Sequence, residues 1–144
     1  MKRPRPEESG SALVEFAWLG LILMVPLIWI VLSVFEVQRG AFAISGAARA
    51  AGRAYALADS DSAGMAQARA AARDALADQG ADGMPFDLRV SCGGLPDCHA
   101  RGAVITVRVA TRVRLPMLPD ILGSGSPSFA LDASHTVPIG QFHE

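Results

Sequence analysis

Between Phe16 and Phe35 the chain runs for 20 residues without a charged side chain. As a helix rising about 1.5 Å per residue, that run extends about 30 Å, the thickness of a bilayer's hydrocarbon core. It is longer than the apolar segment of a secretory signal, about 7–15 residues. The small-x-small sequence that ordinary signal cleavage needs, Ala41-Phe42-Ala43, lies beyond Glu36 and Arg39. The run therefore predicts a transmembrane helix over residues 11–36, with the rest of the chain hung from it. Pro26 falls in its middle. Lacking an N–H and clashing with the preceding turn, it predicts a kink or a loosened turn. Such a proline is either one of those membrane helices tolerate or a bend that fits this helix into a bundle.

Glu15 stands just inside the start of the run. A charge at mid-bilayer costs about 2.5–3.5 kcal/mol on insertion scales and less near the interface, so this carboxylate calls for a partner. Ser11 lies one helical turn before it, on the same face. Cleavage after Gly10 would create an ammonium at Ser11, at that same edge.

Gly10, Ser11, Glu15 and Phe16, in register with the apolar run, resemble the processing site of type IV prepilins. The Glu-aromatic pair and the chain length are most similar to TadE-like pseudopilins of the tight-adherence (Tad, Flp-type) branch. The resemblance covers residues 10–36 of 144. It implies that a prepilin peptidase cuts between Gly10 and Ser11 on the cytoplasmic side. It also implies that Glu15 pairs with a neighbouring subunit's free N-terminus, leaving residues 1–10 as a removed leader. Without cleavage, the same residues are a short cytoplasmic tail on a plain anchor. Beyond Glu36 only the order of helix followed by strands matches, and Ser11 leaves N-methylation open.

Charge alone does not orient the span. Lys2, Arg3 and Arg5 precede it, while Arg39, Arg49 and Arg53 follow it. The prepilin resemblance puts the N-terminus in the cytoplasm and the C-terminal domain outside. That domain is electrically neutral, with ten Arg against ten Asp or Glu over residues 37–144. Such a balance gives no electrostatic footprint for nucleic acid.

Past Glu36 the helical pattern continues. Ala41, Ile44, Ala48, Ala51 and Tyr55 recur at three- and four-residue steps, predicting one helix from Ala12 to Ala58. Gly40, Gly46 and Gly52 each weaken it by about 1 kcal/mol relative to Ala. Small residues also allow close approach of another helix, so this stretch is either a packing face or simply Ala-rich helix. Asp59-Ser60-Asp61-Ser62 supplies N-caps for a second helix, Ala63 to Asp78, with an apolar stripe of Met65, Ala68, Ala72 and Leu76. Gly80-Ala81-Asp82-Gly83 ends it.

The period then falls from 3.6 to 2. Phe86, Leu88 and Val90 form one alternating run, and Ile105, Val107, Val109, Val113 and Leu115 a second. After a Pro/Gly/Ser loop from Pro116 to Pro127, a third holds Phe129, Leu131, Ala133, Val137 and Ile139. Alternation means one buried and one wet face, hence an antiparallel meander backed by helix.

Cys92 and Cys98 flank Gly-Gly-Leu-Pro-Asp between the first two strands. In an oxidising compartment they predict a disulfide closing that loop. Free thiols are the alternative, and a metal site recruiting His99 falls short of the four ligands structural zinc takes. His135 interrupts the apolar face of the third strand and reads as a satisfied or edge-facing histidine. Gly123-Ser-Gly-Ser-Pro lacks the Lys of a phosphate loop. Arg108, Arg112 and Arg114 read as the solvated face of a strand, or as a salt-dependent contact with a neighbouring subunit or anionic surface.

The sequence thus predicts an α+β chain. A long N-terminal transmembrane helix continues into an Ala-rich helix, and a second short helix and a small three-stranded antiparallel sheet follow. Residues 1–10 are leader or tail, 11–36 the span, 37–80 helical, and 81–144 a β ectodomain. No catalytic constellation, cofactor or small-molecule substrate is inferred. The expected partners are membrane lipid, prepilin peptidase, other pilin-like subunits and Tad assembly proteins. The alternative function is an unprocessed, membrane-anchored extracytoplasmic binding domain.

Overall fold

The computed structural model describes residues 9–95, 97–100, 102–115 and 128–139, with side chains from residue 12 onward. The proposed leader up to residue 8 and the expected loop Pro116–Pro127 lie outside the described residues.

Helix α1 runs unbroken from Ser9 to Ala56, 48 residues, or about 72 Å. Pro26 lies inside it and does not end it. Helix α2 spans Asp61–Asp78. Its N-cap is Ser60, whose hydroxyl accepts from the Ala63 N–H, and Asp61 places a carboxylate on the first turn, where the helix dipole favours one. The start is thus two residues earlier than the sequence predicts. At the other end Gly80 takes φ of 69°, a left-handed conformation that favours glycine. Its N–H reaches the Ala77 carbonyl while that of Ala81 reaches Leu76, which satisfies two otherwise orphaned acceptors.

Three strands follow: β1 (Phe86–Ser91), β2 (Val104–Arg114) and β3 (Ser128–Pro138). They form an antiparallel sheet in the order β1-β2-β3. Leu88 stands opposite Val109, and Val107 opposite both Val90 and His135. Leu88, Ile105, Val107, Val109 and Val113 are buried on one face; Asp87, Arg89, Arg108 and Arg112 are exposed on the other. The architecture is α+β, a long apolar helix, a short helix and a three-stranded antiparallel sheet.

The second half of α1 is the centre of the fold, packed against α2, β2 and β3. Ala43, Ile44, Ala47, Ala48, Ala51 and Tyr55 are all buried. This makes the Ala-rich stretch a packing face. Ala41, expected on it, is exposed, and Ala43 and Ala47 take part instead. The difference has a simple cause: with a helix and a sheet both pressed against α1, the buried arc is wider than one stripe. A Cβ built on Gly40 would meet Val113 Cγ2 at 2.7 Å and Leu131 Cδ1 at 3.0 Å. One on Gly52 would meet Val137 Cγ2 at 3.1 Å and His135 Cδ2 at 3.2 Å. These two glycines therefore admit the sheet, where the sequence suggested a second helix. Gly46 has no neighbour within 4 Å of its would-be Cβ. The helix–helix contact uses Gly64 of α2, which lies over the Tyr55 ring.

One buried position of β2 is polar. Thr111 sits where alternation calls for an apolar residue, and its hydroxyl donates to the Pro85 carbonyl at 2.6 Å. Burial of the hydroxyl is thereby offset.

Candidate functional site

The first half of α1 is bare. From Leu13 to Phe35 its large apolar side chains are exposed, Trp18 and Phe16 among them, except for Trp29, which is half-buried. Its most apolar 18-residue window has a mean hydropathy of 2.5, and 6% of it is buried. A core helix of a water-soluble domain would have these residues covered; this one leaves them for a surrounding medium, and it is long and apolar enough to cross a membrane. Within the charge-free run the Ser33 hydroxyl donates to the Trp29 carbonyl one turn back at 2.8 Å.

The positions singled out from sequence cluster along this half. Gly10 and Ser11 fall in the first turn of α1. Glu15 and Phe16 project outward one turn later, and among the described residues no cation pairs with the Glu15 carboxylate. All lie far along α1 from the domain.

Against the far end of α1 lies the disulfide loop that connects β1 to β2. Cys92 and Cys98 are bridged with Cα atoms 5.2 Å apart, and Gly93 and Gly94 turn the loop with φ of 64° and 86°. For so short a loop the bridge stabilises by about 2–3 kcal/mol. It also holds His99 against the corner between α1 and α2. Asp97 Oδ1 accepts from the His99 backbone N–H at 2.9 Å. His99 Nδ1 lies 2.6 Å from Asp61 Oδ1, and Nε2 lies 3.1 Å from the Tyr55 carbonyl. The Tyr55 hydroxyl donates to the same Asp61 oxygen at 3.0 Å, and the Tyr55 and His99 rings stack with centroids 5.1 Å apart.

Sequence reasoning placed His99 in a loop and gave it no role, and nothing local could have shown otherwise, since Asp61 is 38 residues away. Hydrogen bonding to His99 holds the Asp61 carboxyl below its ordinary range, with the Tyr55 bond adding to the effect. Burial, and then the Asp61 bond and charge, push the Tyr55 hydroxyl up to about 12. A phenol held that high is a poor nucleophile or proton donor at neutral pH. The ligand atoms of Asp61, Asp97 and His99 lie within 4.8 Å of one another. The 2.6 Å between His99 and Asp61 is a hydrogen-bond distance, whereas two ligands each about 2.0–2.2 Å from a metal ion are held farther apart. This cluster ties the disulfide loop to the helical corner.

His135 lies half-buried on the sheet face that meets α1 at Gly52, as a packed side chain. On the wet face Arg108 pairs with Asp132 at 3.0 Å and Arg89 with Asp87 at 2.8 Å. Arg112 and Arg114 have no ion-pair partner among the described residues. No family model, curated protein or solved structure matches this chain.

Proposed function

We propose that this chain is a pilin-like (pseudopilin) membrane subunit of a Tad-type pilus or secretion assembly, working by helix packing and not by catalysis. The observation that carries this reading is α1 itself: one unbroken helix, bare and apolar in its first half, the core of a small domain in its second. Such a helix couples membrane and domain rigidly, because bending between them would break consecutive backbone hydrogen bonds. It also argues for a retained span. Cleavage at Ala41-Phe42-Ala43 would remove Gly40 from its contact with Val113 and Leu131. The Cys92–Cys98 bridge supports an oxidising, extracytoplasmic location for the domain, with the N-terminus cytoplasmic.

In this reading a prepilin peptidase cuts between Gly10 and Ser11. The Glu15 carboxylate then receives the new N-terminal ammonium of a neighbouring subunit. A charge left in an apolar site without its partner costs about 3–5 kcal/mol. Glu15→Gln should therefore keep leader removal and membrane insertion but lose association with other pilin-like subunits. The check is crosslinking or co-purification, with N-terminal sequencing of the native protein beside it, expected to start Ser-Ala-Leu-Val-Glu. Normal association by Glu15→Gln would remove the mechanism. A native chain still beginning at Met1 in cells with an active peptidase would favour an unprocessed, anchored binding domain.

A further inference from the structure

β2 and α1 run antiparallel, so the C-terminal end of β2 and the start of β3 point back along α1 toward its bare half. Gly40 of α1 fixes the level, because it meets Val113 and Leu131. Phe35, the last residue of the charge-free run, is five residues before Gly40, about 7.5 Å along the axis. Leu115 follows β2 two residues after Val113, about 6.8 Å nearer the run, and Phe129 stands opposite Val113 in β3. They meet α1 there: with Trp29, Ile30, Val34 and Val37 they line an apolar groove of about 440 Å³. Three of those four α1 residues belong to the run that is apolar enough to lie in hydrocarbon. Phe129 is 55% exposed, a large apolar side chain facing outward at this level.

Charge is arranged along the same axis. Arg108, farther up the sheet, is paired with Asp132, and Arg89 with Asp87. Arg112 and Arg114, at the end beside the bare half, are exposed and without an ion-pair partner among the described residues. On α1 at this level Glu36 and Arg39 together add no net charge, and the Arg39 guanidinium donates to the Gly80 carbonyl. The lower end of the sheet therefore presents apolar side chains flanked by exposed guanidinium groups, on stems long enough to reach phosphate.

We propose that this end of the sheet, Leu115 and Phe129 with Arg112 and Arg114 beside them, seats on an anionic phospholipid surface. The domain then rests in the headgroup layer and does not stand off the bilayer on a bare stalk. The inference rests on the membrane-spanning part of the proposed function and on nothing about pilus assembly. Trp29, Ile30 and Val34 carry the groove into the hydrocarbon, so the occupant continuous with it is lipid. The two arginines take headgroup phosphates, each favouring the seated position about five-fold where anionic lipid is present, about thirty-fold together, with screening by salt.

The test uses the full chain with its native disulfide intact, reconstituted into phosphatidylcholine vesicles with and without phosphatidylglycerol. A spin label is placed at Phe129→Cys, with Val34→Cys as the reference within the span and Val104→Cys, at the opposite end of β2, as the aqueous reference. Mass analysis confirms one label per chain. In phosphatidylglycerol vesicles holding a single chain, the Phe129 label should be open to oxygen and shielded from an aqueous nickel chelate, as at Val34. A Phe129 label as open to nickel as Val104, with Val34 shielded, overturns the proposal and leaves the span standing. Nickel access at Val34 as well brings down both. Shielding seen only at high chain density assigns the groove to a neighbouring subunit and also overturns the proposal. Arg112→Gln/Arg114→Gln should cut the seated-to-unseated ratio about thirty-fold in phosphatidylglycerol and leave it unchanged in phosphatidylcholine. An equal effect in both lipids overturns the role given to the arginines.

Discussion

The two halves of α1 invert each other. Its first half exposes the largest apolar side chains of the chain, Phe16, Trp18 and Leu21 among them, while its second half buries some of the smallest, Ala43, Ala47, Ala48 and Ala51. Hydrophobicity alone would bury the first half and spare the second. The difference shows that two kinds of neighbour are in play. Exposed Leu, Ile and Phe are stable where the surrounding medium is itself apolar. Buried Ala is stable where packed neighbours approach closely, which requires that nothing larger intervene.

The comparison is sharpest with one residue type at two places. Ile44 is 1% exposed and Ile22 is 65% exposed. Ile44→Ala should lower the domain's unfolding free energy by about 2–5 kcal/mol, through lost transfer energy and the cavity left behind. Ile22→Ala should leave the domain's unfolding unchanged in detergent. Thermal unfolding of the two variants measures both, and equal losses would collapse the distinction between the halves.

Acid and alkali both act on the packed half, at its far end. The Tyr55 hydroxyl is raised in the fold from 10.0 to about 12. Its contribution is fully present below pH 10 and is lost as pH rises toward 12, on the order of 2–3 kcal/mol. Asp61 has the opposite sign. Its carboxyl is lowered from 3.8, so its contribution is present above that value and is lost as pH falls below it. That part is smaller, because the Asp61 side chain is about half exposed and water screens it. Unfolding measured against pH should fall off at both extremes, and Tyr55→Phe should remove the alkaline limb. An alkaline limb unchanged in Tyr55→Phe would place its origin elsewhere.

The smallest effects separate the glycines within the packed half. Gly40→Ala gains helix propensity but drives a methyl into Val113, whose branched side chain is stiff. The net expectation is destabilisation by about 1–2 kcal/mol. Gly46→Ala meets nothing, and should stabilise by up to about 1 kcal/mol. Opposite signs in denaturant midpoints support the sheet contact at Gly40; the same sign for both would dissolve it.

Sequence by itself determined whatever rests on local periodicity and on length. The charge-free run, the three alternating strands, the stop at Gly80 and the pairing of Cys92 with Cys98 were all legible. Each needs only neighbours within a few residues, or a loop too short to allow other geometry. The tertiary structure decided what the Ala-rich half of α1 packs against. Ala and Gly carry so weak an apolar signal that Ala41 reads like Ala43, and Gly46 like Gly40; only the positions of α2 and the sheet tell them apart. It also decided that Thr111 is buried, because the carbonyl that satisfies it belongs to Pro85, outside β2. His99 is the clearest case. Its partners on Asp61 and Tyr55 come from two helices that meet it only once the sheet has folded back on α1, and no sequence spacing encodes that meeting.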